Sequence, residues 1–238
     1  MTERVQKIIA RAGVCSRRQA EELIRAGRVR INDRTAQLGD TVQPETDRIW
    51  VDGKLLEPEK AAVYLMLNKP RGYVTTLSDE LGRKTAAELV SGCGVRVFPV
   101  GRLDKDSEGL LLFTNDGALM QRLIHPSGEV DKTYHVTVSG ALEGCEVRLS
   151  QMRELEGEAI APAQVRVLKR SGDRAELEVV IHQGKNRQIR RMCSACGLTV
   201  RRLQRVAEHT LTLGSLPPGQ WRYLTDEEVQ ALKGSEKP

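Results

Sequence analysis

From Ala62 onward the chain is built of short runs rich in β-branched and aliphatic residues, spaced too closely for regular helical crossovers between them. Val63 to Leu67, Val95 to Val100, Leu110 to Thr114, Val130 to Val138 and Ala175 to His182 read as strands, and helical patterning is clearest over Ala118 to Ile124 and Arg187 to Cys196. A parallel pair needs a crossover of about a dozen residues or more. The spacing therefore constrains this region to an α+β fold with a mostly antiparallel, mixed sheet. Asn68-Lys69-Pro70-Arg71-Gly72 and Asn115-Asp116-Gly117 read as turns.

The preceding stretch has a different rhythm. Val5, Ile8, Ile9 and Ala12 recur at helical spacing up to Gly13, with Lys7 and Arg11 on the polar face. Ser16 then stands three before Gln19, a capping-box pattern that opens a second helix with Ala20, Leu23 and Ile24 on its apolar face and Gly27 at its stop. Val29, Arg30 and Ile31 alternate as a strand turning at Asn32-Asp33, and Ile49-Trp50-Val51 before Asp52-Gly53 reads as another hairpin. Leu56 to Lys60 lacks periodicity and contains Pro58. These features predict a small α+β domain over residues 1–58 and a larger one over 62–238, which at 238 residues leaves room for one sizeable core and a smaller one.

Charge is segregated. Residues 1–34 hold nine Lys/Arg against four Asp/Glu, and Ile181 to Val206 holds seven Lys/Arg and no acid, while the formal net charge of the whole is only +5. Two basic zones on an otherwise acidic chain suit a polyanion, because neutralising phosphates releases counterions. Arg17 and Arg18 stand in the first turn of the second helix, where cations oppose the helix dipole. A phosphate would reverse that penalty by accepting from free backbone N–H groups and both guanidiniums. Lys7, Arg11, Arg28, Arg30, Lys185 and Arg187 are further expected contacts of that polyanion, and Arg191, Arg201, Arg202 and Arg205 are expected to meet phosphates or solvent. No run approaches the ~20 apolar residues of a membrane-spanning helix, and the opening is unlike a signal peptide. Five cysteines without a dense framework fit a reducing compartment, and the lone Cys193/Cys196 spacing lacks the second pair of a zinc site. The expectation is a cytoplasmic monomer with neither metal nor membrane partner.

Gly101-Arg102-Leu103-Asp104 falls between two strands. A carboxylate on such a loop, beside an arginine and a glycine that permits close approach, is a plausible reaction centre, though chemistry alone does not name the reaction. Asp106 and Glu108 are local competitors that invite a glycosidase reading, but nearness in sequence does not place two carboxylates across one bond.

RVQKIIARAGVCSRRQAEELIRAGRVRINDR resembles the RNA-binding domain first recognised in ribosomal protein S-four. GRLDKDSEGLLLFTNDG, with LNKPRGYV, DKTYHVTV and HQGKNRQIRRMCSACG in order, resembles pseudouridine synthases of the RsuA/RluB/RluF family. The resemblance implies isomerisation of a uridine in ribosomal RNA, of the large subunit by the look of QGKNRQIRRMC, without a cofactor. It implies Asp104 as the carboxylate that initiates cleavage of the ribose–uracil bond and Arg102 as the residue that keeps the base extruded. It further implies Tyr134 as the ring near the uracil that assists proton removal from C5, and Arg190 as the cation that pairs with the aspartate. Asp106 and Glu108 remain turn or surface groups. Glu208 departs from the family's usual basic residue and puts RNA contact there in doubt. Whether Asp104 attacks the sugar, adds to the base or removes a ribose proton stays open. The rival reading is a noncatalytic RNA-binding assembly factor, which gives no reason for Asp104, Tyr134 and Arg190 to occur together.

Overall fold

The computed structural model describes residues 2–57, 61–125 and 130–234. Of the expected linker, Pro58 to Lys60 lies outside the described residues. Backbone contacts divide the chain into two units, one running to Ala62 and taking in Gly94–Arg96, the other made of Val63–Cys93 and Val97 onward.

In the first unit the helices are Val5–Arg11 and Arg17–Arg25. The second opens on the expected capping box: the Ser16 hydroxyl accepts from the Gln19 amide at 3.2 Å, and the Gln19 side chain accepts from the Ser16 amide at 3.0 Å. Four short strands follow in the spatial order Arg34–Thr35, Val29–Ile31, Ile49–Val51, Lys54–Leu55. The last hairpin turns at Asp52 and Gly53, both with positive φ, the tight geometry that suits the strand twist. Val5, Ile8, Ile9, Ala20, Ile24, Val29, Ile31, Ile49 and Val51 close a single small core.

The second unit is organised by a nine-stranded sheet. Its path runs Gln164–Ser171, Arg174–Ile181, Lys132–Gly140, Leu198–Glu208, Glu108–Thr114, Tyr64–Lys69, Trp221–Tyr223, with Phe98–Val100 and Leu211–Thr212 paired at the sides. Every pairing in it is antiparallel except Leu198–Glu208 against Glu108–Thr114, where two rungs, Gln204 to Glu108 and Arg205 to Gly109, run parallel. The mixed, mostly antiparallel sheet follows. Helices Gly117–Ile124, Cys145–Gln151, Gln188–Ala195 and Asp226–Lys233 accompany it. Met66, Val100, Leu110, Leu112, Leu119, Leu123, Leu211, Leu213 and Leu232 form one of its apolar clusters.

Two corrections bear on the site. Asn68 and Lys69, read as turn residues, are the buried end of a strand, and the turn begins only after them. The long Leu198–Glu208 strand went unrecognised because its charges obscure alternation and two register shifts interrupt it. At one shift Thr133 faces Ala207 while Tyr134 faces Arg205, so Val206 is an extra residue opposite the pair. Strand side chains alternate faces, so residues three apart ordinarily point to opposite sides; one bulged residue restores a common side. Arg205 and Glu208 therefore both turn inward, each 2% exposed, with Arg205 Nη2 3.3 Å from Glu208 Oε2. Neither the expected phosphate contact for Arg205 nor repulsion of phosphate by Glu208 fits that burial.

Gly109 belongs to the same junction. At φ +106 a side chain there would meet the Arg205 carbonyl oxygen at 2.2 Å and its amide nitrogen at 2.7 Å. Only glycine lets the two strands approach in parallel at this point. Gly109→Ala is expected to lower stability by at least ~2 kcal/mol, combining left-handed strain with displaced backbone, as read from the urea midpoint of the full chain.

Candidate active site

The loop between Phe98–Val100 and Glu108–Thr114 carries Arg102 and Asp104, and its backbone is held from outside at five successive residues. Thr75 Oγ1 donates to the Leu103 carbonyl at 2.6 Å and accepts from the Leu103 amide at 3.2 Å. The Gly72 amide donates to the Lys105 carbonyl at 2.7 Å. Arg190 Nη2 donates to the Asp106 carbonyl at 2.9 Å. Lys69 Nζ donates to the carbonyls of Asp104 at 3.0 Å, Ser107 at 2.8 Å and Pro70 at 3.2 Å.

Lys69 is wholly buried. An ammonium has three donors and no acceptor, and here each finds a carbonyl, which satisfies the group where no counter-ion touches it. Desolvation pushes its pKa down to about 8, against the opposing pull of Asp104, Asp106 and Glu108. Nothing in the residue pattern singles out this lysine beyond its place in LNKPRGYV. LNKPRGYV supplies Lys69 and Gly72, and Thr75 directly follows it, so three of the loop's fasteners come from this one stretch.

With the backbone fixed, the Asp104 carboxylate is left about a third exposed, facing a cleft of about 260 Å³ lined by Arg102, Leu103, Tyr134, Asn186, Arg187 and Ile189 among others. That is near the lower end of the roughly 300–1,000 Å³ typical of small-ligand sites. Arg102 is exposed and, among the described residues, makes no ion pair or hydrogen bond. Tyr134 is 7% exposed. Burial raises its hydroxyl above the ordinary tyrosine pKa, opposed by the Arg205 guanidinium behind it.

The expected partner of Asp104 was Arg190, and the ion pairs fall differently. Arg187 Nη1 lies 3.2 Å from Asp104 Oδ2 and, through both terminal nitrogens, at 3.1 and 3.0 Å from the two oxygens of Asp106. Arg190 Nε lies 3.4 Å from Asp106 Oδ2. Asp106, read as a turn group, is thus the shared anchor of two arginines, and hydrogen bonding from Arg187 lowers its pKa. Arg187 sits at the N-cap of Gln188–Ala195 with φ +48, a left-handed backbone that costs a non-glycine residue about 1 kcal/mol or more. Because both Arg187 and Asp104 are more than a third exposed, their pair is worth only ~0–1 kcal/mol. Such a pair is readily broken, whereas the buried Lys69 clamp is not.

The expected RNA contacts separate into two groups. Lys7 and Arg11 both reach Glu3, at 2.8 and 2.9 Å, Arg28 forks onto Asp52, and Lys185 lies 3.1 Å from Glu158. Arg30 is exposed, reaching the Asn32 carbonyl at 3.4 Å. Arg17 and Arg18 are exposed and have no ion-pair or hydrogen-bond partner among the described residues. Arg191 and Arg202 pair with Glu156 and Glu108, and Arg201 donates to the Ser139 hydroxyl. All five cysteines are free thiols, and burial pushes Cys193 up to about 12.

The family model described as RNA pseudouridylate synthase matches residues 63–195, and the S4 domain model matches residues 3–49. Ribosomal large subunit pseudouridine synthase B of Bacillus subtilis is 41% identical over 97% of this chain and 96% of its own length. The dual-specificity RNA pseudouridine synthase RluF of Escherichia coli is 38% identical over 95% of this chain and 77% of its own. A crystal structure of a pseudouridylate synthase superposes with a TM-score of 0.68 at 31% identity, covering 96% of this chain and 99% of that one. Matches of this extent place the chain among RNA-modifying isomerases. The chain belongs to the RNA pseudouridylate synthase family.

Lys69 offers a direct test of the loop clamp. Between pH about 8 and the ordinary lysine value of 10.5 the unfolded chain holds a proton that the folded chain has released, so this group makes stability rise with pH across that window. The denaturation midpoint of wild type is expected to climb relative to Lys69→Met over that range. At neutral pH the variant should lose about 100-fold in kcat/KM, the scale of a small misplacement of a reacting group. Parallel midpoint curves for the two proteins would contradict a buried, clamping ammonium.

Proposed function

We propose that the chain converts a uridine of large-subunit ribosomal RNA to pseudouridine, with Asp104 as the catalytic carboxylate. The observation that carries this reading is the loop itself: five successive backbone positions are tied down so that one carboxylate stands in a cleft beside Tyr134. Such restraint is what preorganised catalysis requires and mere RNA binding does not. The names of the relatives from Bacillus subtilis and Escherichia coli support the substrate class.

In this reading Arg102, unpaired at the cleft, meets the extruded nucleotide or the gap it leaves, offsetting a cost of a few kcal/mol. Tyr134 packs against the uracil and assists removal of the C5 proton. Arg190 acts on Asp104 at one remove, by holding Asp106 and its carbonyl. Uracil is detached, turned and rejoined through C5, so atoms balance without a redox partner.

Residues 1–58 grip RNA and residues 62–238 carry out the chemistry. Arg17 and Arg18 are the foremost phosphate contacts because neither is committed to an acid. Arg30 is exposed in the same module, while Lys7, Arg11, Arg28, Lys185 and Arg187 must exchange a carboxylate for a phosphate. No helix among the described residues is long and apolar enough to cross a membrane; the proposed setting is a monomer acting on RNA in the cytoplasm.

Asp104→Asn should abolish pseudouridine formation in single-turnover assays on transcribed ribosomal RNA while leaving RNA affinity within a few fold. Activity near wild type would refute the assignment. Replacing Arg17 and Arg18 by alanine should weaken RNA binding and reduce the magnitude of the log–log salt slope by roughly 0.7 to 0.9 for each lost contact, with the rate at saturating RNA largely kept. An unchanged slope would show that these residues do not contact phosphate.

A further inference from the structure

Behind Tyr134 lies a charged pair that the reaction described above does not use. Arg205 and Glu208 are each 2% exposed. Arg205 Nε donates to the Leu110 carbonyl at 2.7 Å, Nη2 lies 3.3 Å from Glu208, and Arg205 is the direct cross-strand partner of the buried Tyr134, so the two side chains share one face of the sheet. Glu208 stands directly across the strand pair from Lys132, so it lies between two cations.

Burying such a pair is a poor way to gain stability. Desolvating two ions costs several kcal/mol each, and well-packed apolar residues of similar volume often do as well or better. Here the strand even carries an extra residue, Val206, that turns both groups to one side. Glycine at position 109 then admits the neighbouring strand against the Arg205 backbone. The arrangement is one of positioning: Glu208 and the Leu110 carbonyl hold the guanidinium, which sets a fixed positive charge on the side chain paired across the strands from Tyr134.

We propose that Arg205, braced by Glu208, is a positioning residue for isomerisation, holding the Tyr134 hydroxyl with its oxygen available to receive the C5 proton of the rejoined uracil. This rests on the role given to Tyr134 above and deepens it. After the base rejoins ribose through C5, that carbon bears both hydrogen and sugar. The C5–H bond breaks, its electron pair forms the C5–C6 double bond, and the electrons displaced from the C6–N1 double bond take up a proton at N1. Net, one proton leaves C5 and one is gained at N1. A guanidinium donating to the phenol oxygen orients it and favours the negative charge that develops there while it accepts the proton. Cleavage of the ribose–uracil bond, which precedes this step, does not call on Arg205.

The test is a double-mutant cycle with a kinetic isotope readout, using ribosomal RNA transcribed with ordinary or 5-deuterated uridine. Arg205→Lys should slow the single-turnover rate at least tenfold when Tyr134 is present and less than twofold in the Tyr134→Phe background. Its rate should also become more sensitive to deuterium at C5 than that of wild type. Glu208→Gln, which leaves Arg205 in place but unbraced, should move both quantities in the same direction, and it decides the matter should Arg205→Lys fail to fold. Equal losses in the two backgrounds, or an unchanged isotope effect, would overturn the positioning role while leaving the reading of Tyr134 intact. A Tyr134→Phe enzyme as fast as wild type would overturn both.

Discussion

One ammonium group underlies the site. Lys69, at the buried end of a central strand, spends all three of its donors on carbonyls, two of which belong to the loop that carries Asp104. The cost of burying that charge shows in its depressed pKa. What it achieves is to convert a stretch of irregular backbone into something nearly as fixed as the sheet beside it. The side chain of Asp104 is then free to remain partly open to solvent, held only by the exposed Arg187 pair while its backbone is fixed from behind.

Around that centre the charges form graded layers. The outermost is the Arg187–Asp104 pair, exposed enough to be screened and readily exchanged. Next is Asp106, holding Arg187 and the largely buried Arg190 together. Deepest is Arg205 with Glu208, shut away from water. Strength of restraint rises with depth, and Arg187, shared between Asp104 and Asp106, links the first layer to the second.

Much of this was legible from the residues, and the rest was hidden for identifiable reasons. Alternating apolar strands such as Lys132–Gly140 and Arg174–Ile181 emerged within a few residues of their observed ends, as did both helices of the first unit. Gln164–Ser171 did not, because it is an edge strand with charged residues and little buried surface. The Leu198–Glu208 strand was obscured by arginines and by bulges that break the two-residue period on which strand reading relies. Asp104, Tyr134 and Arg102 were named from motif resemblance, and the cleft they line is a finding of the structure. Lys69 was missed because Asn-Lys-Pro-Arg-Gly has the composition of a turn, and Arg205 because an arginine in a basic run reads as surface. No local pattern states that a bulged residue has reversed the side on which a charge falls.

The lone parallel contact in the sheet gives the catalytic unit a mechanical character. Strands from Tyr64 to Thr114, with Trp221–Tyr223, make one antiparallel plate that bears Asp104 at its edge; strands from Lys132 to Thr212 make another that bears Tyr134. The plates meet along a seam of only two rungs, at Gln204 and Arg205. The Arg205 side chain crosses that seam to grasp the Leu110 carbonyl and so acts as a rivet beside the rungs. With so short a joint, the side-chain ties beside it, Arg205 to Leu110 and Arg187 and Arg190 to the loop of Asp104 and Asp106, share in setting the gap between carboxylate and phenol.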